Sequence, residues 1–94
     1  MLTARSEDQL DTLAQQLRTC GSSVATAAID LTEPDSIGSA LADLLVRGDT
    51  PSVLINNAGA AYTGDLVSMP LDRWQWLLQL NLTSVMQVCS VVVP

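Results

Sequence analysis

Lysine, histidine and phenylalanine are absent from this 94-residue sequence. Without histidine there is no imidazole to serve as a general base or metal ligand, and without lysine there is no amine for a Schiff base. Cationic charge is scarce as well. Arg5, Arg18, Arg47 and Arg73 stand well apart against ten acidic residues, giving a net charge of −6. Nucleic-acid binding needs clustered Lys and Arg, so the charge balance argues against such a partner. Cysteine is limited to Cys20 and Cys89, which share no metal-ligand spacing; two buried free thiols and no metal site are expected. No apolar run approaches the roughly 18 residues of a membrane span. The N-terminus lacks the basic-then-apolar order of a signal peptide, which points to a cytoplasmic protein. Aromatic residues are few, namely Tyr62, Trp74 and Trp76, so a core must come from Leu, Val, Ile and Ala. At 48% hydrophobic and 15% charged, the chain has ordinary globular composition and the length of a single domain at most.

What is present alternates. Ser6-Glu7-Asp8-Gln9 reads as a capping box with acids in the first turn. Leu10, Leu13, Ala14 and Leu17 then form one helical face, ending at Gly21. Val24–Ile29 is short and apolar, as a strand covered on both faces would be. Thr32-Glu33-Pro34-Asp35 starts a second helix, striped by Ile37, Leu41, Leu44 and Leu45 and stopped at Gly48. Val53-Leu54-Ile55 predicts another strand, followed by a loop. Ser68-Met69-Pro70 opens a third helix carrying Trp74, Leu77, Leu78, Asn81 and Val85, which the pattern continues without a turn signal to Val93. Leu2-Thr3-Ala4 looks like the end of a preceding strand. Helix, strand, helix, strand, helix in this order predicts an α/β fold built on a parallel sheet with helices on both faces.

In open parallel sheets, ligands bind beyond the carboxyl ends of the strands. Arg5, Asp30 and the run Asn56-Asn57-Ala58-Gly59 fall at those ends, and Asn81 lies in the last helical segment. Each alone is ordinary; an Asp ending a strand is usually a turn residue. Together they resemble the classical short-chain dehydrogenase/reductase family. Asn56-Asn57-Ala58-Gly59 resembles its NNAG motif. Asp30-Leu31 sits where the family has its adenine-contacting Asp and the apolar residue after it. Asn81, in Leu80-Asn81-Leu82-Thr83-Ser84, matches the catalytic-helix Asn, 25 positions after Asn56. Trp74 also falls where the family often carries Trp. The resemblance covers essentially the whole chain.

It implies a partial doubly wound, Rossmann-like parallel sheet lacking the first strand and the C-terminal half, with residues 1–94 as the central piece of one NAD(P)-binding domain. By the same resemblance, Asn57, Ala58 and Gly59 lie beside the cofactor, small side chains allowing close approach. Asn56 would tie neighbouring strands. Asp30 would accept from the adenine amine and the Leu31 amide would donate to the ring. Asn81 would support catalysis by shaping a helix that holds a proton-relay water. Arg5, with Ala4 where an acidic residue would select NAD, favours the 2′-phosphate of NADP over NAD. The expected substrate is a small carbonyl or alcohol, with a ketoacyl group on an acyl carrier protein as one subclass, and the expected parent is a homodimer or homotetramer.

Other family features have no counterpart. Glycines stand only at 21, 38, 48, 59 and 64, without the GxxxGxG spacing of a pyrophosphate loop. Tyr62 is followed four residues later by Leu66, so there is no Tyr-xxx-Lys pair. The chain alone is therefore expected to be inactive. The alternatives are a non-catalytic nucleotide-binding or inert domain on the same fold, and an unrelated flavodoxin-like domain.

Overall fold

The computed structural model describes residues 1–48 and 50–94. Ser6 begins the first helix, its Oγ accepting the Gln9 amide at 3.3 Å. Glu7 and Asp8 fill the first turn, where the helix dipole favours negative charge. The resulting helix α1, Glu7–Thr19, buries Leu10 and Ala14. It ends at Gly21, whose φ is +89°. The Gly21 amide donates to Arg18 O at 3.0 Å and the Ser22 amide to Leu17 O at 3.2 Å, a Schellman closure. Cys20 sits in this cap and is exposed, contrary to the expectation of a buried thiol; Cys89 is half-buried. The local reason is positional, since a helix C-cap turns outward to let the chain leave.

The strands β1, Leu2–Ala4, and β2, Thr26–Ala28, pair in parallel from Leu2 opposite Thr26 to Ala4 opposite Ala28. One further bond extends each end: Leu2 N–H to Ala25 O and Ile29 N–H to Ala4 O, both 2.9 Å. Successive carbonyls alternate between the two edges of a strand. Those of Val24 and Thr26 thus face away from β1, and both are occupied: Arg18 Nη2 donates to Val24 O at 2.8 Å and Arg47 Nη2 to Thr26 O at 3.1 Å. Two helices lend cations to satisfy an open strand edge.

Helix α2, Pro34–Arg47, has proline at its start and no side-chain cap from Glu33. It buries Ile37, Leu41 and Leu44. Ile29, Ile37, Leu41 and Val88 form the core, with Ala27, Leu31, Ala40, Val91 and Val92 around it.

One expectation needs correction. Val53-Leu54-Ile55 joins no ladder; among the described residues the sheet has two strands, β1 and β2. Val53 and Ile55 are 74% and 80% exposed. Strand propensity is expressed only where a neighbour saturates the backbone, and among the described residues no strand lies beside this segment. The C-terminal segment is helical without a break from Leu71 to Val92, as the pattern predicts, with a π-bulge inside it. A 3₁₀ turn, Leu66–Ser68, is capped by Asp65, whose Oδ1 accepts the Val67 amide at 3.0 Å. Helix α3, Leu71–Leu78, a π-helical turn, Gln79–Thr83, and helix α4, Ser84–Val92, then follow. The Ser84 amide reaches back five residues to Gln79 O, and its buried hydroxyl donates to Leu80 O at 2.7 Å. Helix α4 packs on α2. Among the described residues no helix is long and apolar enough to cross a membrane.

Candidate functional site

The parallel pairing of β1 and β2 sets their carboxyl ends side by side, because the Ile29 amide is bonded to Ala4 O. Arg5 and Asp30, the next residue on each side, therefore share one rim. Thr32 dominates the surroundings of Asp30. Its hydroxyl and its amide both donate to Asp30 Oδ1, at 2.6 and 2.9 Å. These bonds, the hydroxyl's first, hold the Asp30 carboxyl below its ordinary value; slight burial opposes them and the Arg5 charge adds to them. Thr32 thus works inside the turn rather than as the cap of α2. Asp30 Oδ2 and the Leu31 amide are left without a partner among the described residues. One acceptor and one donor stand side by side at the rim.

The segment Asn56–Ala60 lies along the α3–α4 stretch and is tied to it at two points. Asn56 Nδ2 lies 3.7 Å from Cys89 Sγ, a weak contact. The firmer tie is Asn81, in the middle of the π-turn. Its Oδ1 accepts the Ala60 amide at 3.0 Å and its Nδ2 donates to Ala60 O at 2.8 Å, so one side-chain amide satisfies a whole residue's backbone. Asn57 and Ala58 are exposed alongside. A Cβ on Gly59 would stand 2.9 Å from Asn81 Oδ1. The glycine is thus required first by the asparagine that clamps the loop. The Asn81 side chain thus positions the loop, with one Nδ2 proton and one Oδ1 lone pair remaining beyond these two bonds.

Sequence reasoning missed Gln79. Its Nε2 donates to Leu31 O at 3.1 Å and to Gln87 Oε1 at 3.1 Å, joining the Asp30–Thr32 turn to the π-turn that holds Asn81. Nothing in its position on the helical stripe marks a glutamine as a tether. The only available signal was its place two residues before Asn81.

A sequence profile described as short chain dehydrogenase matches residues 1–94. A 3-oxoacyl-(acyl-carrier-protein) reductase of Chlamydia trachomatis is 30% identical over 82 residues, which is 87% of this chain and 32% of that protein. A metagenomic short-chain oxidoreductase solved in complex with NADP superposes with a TM-score of 0.90 at 28% identity, covering 99% of this chain and 42% of the other. A gluconate 5-dehydrogenase from Burkholderia cenocepacia, solved with NADP and tartrate, gives 0.87 at 28% identity, covering 98% and 36%. The chain spans about a third of the length of the curated relatives it matches. These relatives share the Rossmann arrangement of parallel strands and helices found here, and with its full length matched, the chain belongs to the short-chain dehydrogenase family.

Proposed function

We propose that this chain is the central, cofactor-binding part of an NADP-dependent oxidoreductase that moves hydride between the nicotinamide and a small carbonyl or alcohol substrate. The observation that carries the reading is the adjacent pair of unengaged groups, Asp30 Oδ2 and the Leu31 amide, linked through Gln79 to the loop that Asn81 clamps. That pair fits a purine edge. The carboxylate can accept from an exocyclic amine and the amide can donate to a ring nitrogen, each worth about 1 kcal/mol net. Arg5 beside them suits a 2′-phosphate, and Ala4 offers no carboxylate to repel it. Asn57, Ala58 and Gly59 form the exposed bend where the ribose and nicotinamide would rest. NADP in the two solved relatives supports this choice over NAD.

NADP, when bound, supplies the hydride. The residues of this chain bind and orient it, and the π-turn around Asn81 shapes the helix beside it. Lysine, a Tyr-xxx-Lys pair and a glycine-rich phosphate loop are absent from the 94 residues, so the chain alone neither holds NADP tightly nor turns it over. A second reading is a nucleotide-binding or inert domain on the same fold, without catalysis. The parent would be a cytoplasmic homodimer or homotetramer.

The test is a titration of the full-length protein with NADPH and NADH, before and after Arg5→Asp. Preference for NADPH should fall at least tenfold, the scale of a lost charge-assisted bond together with a new repulsion. Unchanged discrimination would overturn the role of Arg5. Cofactor binding without turnover would select the second reading.

A further inference from the structure

The peptide unit between Leu31 and Thr32 is held at both polar atoms. Its N–H donates to Asp30 Oδ1 at 2.9 Å, and its C=O accepts from Gln79 Nε2 at 3.1 Å. A peptide unit is planar, so fixing both atoms fixes its orientation. Asp30 Oδ1 is bonded to that N–H, so the orientation bears on where Asp30 Oδ2 points, and the Leu31 amide lies in the adjoining peptide unit. The tether begins in the first residue of the π-turn, and Asn81, two residues on, grips Ala60 from the same turn. The other Gln79 donor goes to Gln87 Oε1, and Gln87 Nε2 in turn donates to Pro34 O at 3.3 Å. Gln79 is half-buried with both donors engaged, unlike a solvated surface glutamine.

We infer that Gln79 is a positioning residue for the adenine half of the cofactor. It sets the Leu31–Thr32 peptide so that the rim donor and acceptor stand ready for a purine. It also couples this turn to the one that holds the 57–60 loop. The inference deepens the cofactor reading above and rests on it.

The chemistry makes glutamine specifically necessary. Leu31 O can only accept, so its partner must donate. Glutamate has the same size but presents oxygens to Leu31 O and to Gln87. Gln87 can turn its amide to donate instead, giving up its bond to Pro34 O; the backbone carbonyl of Leu31 cannot. Gln79→Glu therefore breaks the bond to the turn and leaves the bond within the helical stretch repairable.

The experiment measures dissociation constants of the full-length protein for the two halves of the cofactor, 2′,5′-ADP and nicotinamide mononucleotide, with hydrogen exchange of the Leu31 and Thr32 amides alongside. Gln79→Glu should weaken 2′,5′-ADP about tenfold, leave nicotinamide mononucleotide within about twofold, and speed exchange at Thr32. Equal weakening of both halves would mean a merely structural role, and no change would remove any role; either overturns the inference. If the glutamate variant does not fold, Gln79→Met removes the donors without adding charge and should show the same half-selective loss. Wild-type protein that binds neither half would sink the cofactor reading itself. That outcome differs from a wild type that binds both and a variant indistinguishable from it.

Discussion

At the scale of single residues, the site is a set of backbone groups saturated by side-chain amides and one carboxylate. Gly59 and Asn81 are the tightest pair. A methyl at position 59 would meet Asn81 Oδ1 at 2.9 Å, so the clamp or the loop must move. Gly59→Ala should destabilise the protein by about 1–3 kcal/mol in the wild type and by clearly less in an Asn81→Ala background, where the obstructing oxygen is gone. A double-mutant cycle in urea measures the coupling, and purely additive costs would mean that the loop is strained elsewhere. Asp30 gives a pH-dependent counterpart. Its bonds to the Thr32 hydroxyl and amide lower the folded-state pKa. A depressed carboxyl contributes stability above the unfolded value of about 3.9 and loses it as pH falls through the lower, folded one. Asp30→Asn should therefore be less stable than wild type at neutral pH, with the gap closing on acidification below about pH 4. Thr32→Val, which removes the largest contribution, should shrink the neutral-pH gap between Asp30 and its Asn variant. Asp30 and Asn81 were legible in the sequence because the family pattern fixes them relative to the NNAG turn. Gln79 was not, since a tether to a distant carbonyl leaves no periodic signature.

At the scale of elements, the helices were legible and the strand pairing only partly so. Leu10 and Ala14 of the α1 stripe and Ile37, Leu41 and Leu44 of the α2 stripe bury as predicted, because a helix completes its own hydrogen bonds and needs only one apolar face to dock, whereas Leu13 is 42% exposed. Val53-Leu54-Ile55 has the composition of a strand, but strand formation depends on a neighbour that no local pattern can report. The π-turn was invisible for a related reason. A one-residue insertion in the ladder leaves the apolar composition unchanged and shows only as Ser84 bonding five residues back. Two glycines test this reading with opposite signs. Neither Gly21 nor Gly38 has an atom within 4 Å of an added Cβ, so packing plays no part. Gly21 closes α1 at φ +89°, and Gly21→Ala should cost about 1 kcal/mol of backbone strain. Gly38 lies inside α2, where Gly38→Ala should stabilise by roughly 0.5–1 kcal/mol. Thermal unfolding of the two variants compares them directly; shifts of the same sign would contradict the helix bounds.

At the scale of the whole molecule, apolar side chains face solvent on several described segments, two of which bear on association. One is the unpaired 53–55 segment. The other follows the α3–α4 stretch, where Leu78, Leu82 and Met86 stand at four-residue steps and are 52%, 55% and 65% exposed. Ser84 and Val88 on the same stretch are buried, so α4 already has an inner side against α2 and carries a second, uncovered one. Water tolerates such a patch poorly, and the proposed homo-oligomer would cover it. A buried Leu or Met contributes about 1.5–3 kcal/mol, and about 1.4 kcal/mol is tenfold in a dissociation constant. Replacing Leu82 and Met86 together by Glu should therefore weaken self-association at least a hundredfold, as sedimentation velocity across a concentration series would record. The fold should survive, because neither side chain belongs to the core of Ile29, Ile37, Leu41 and Val88. If the charged pair leaves association unchanged, the contact runs elsewhere, and the 53–55 segment is the next to test. Ile55→Lys, which places a charge on the bare segment, should then be the substitution that dissolves it.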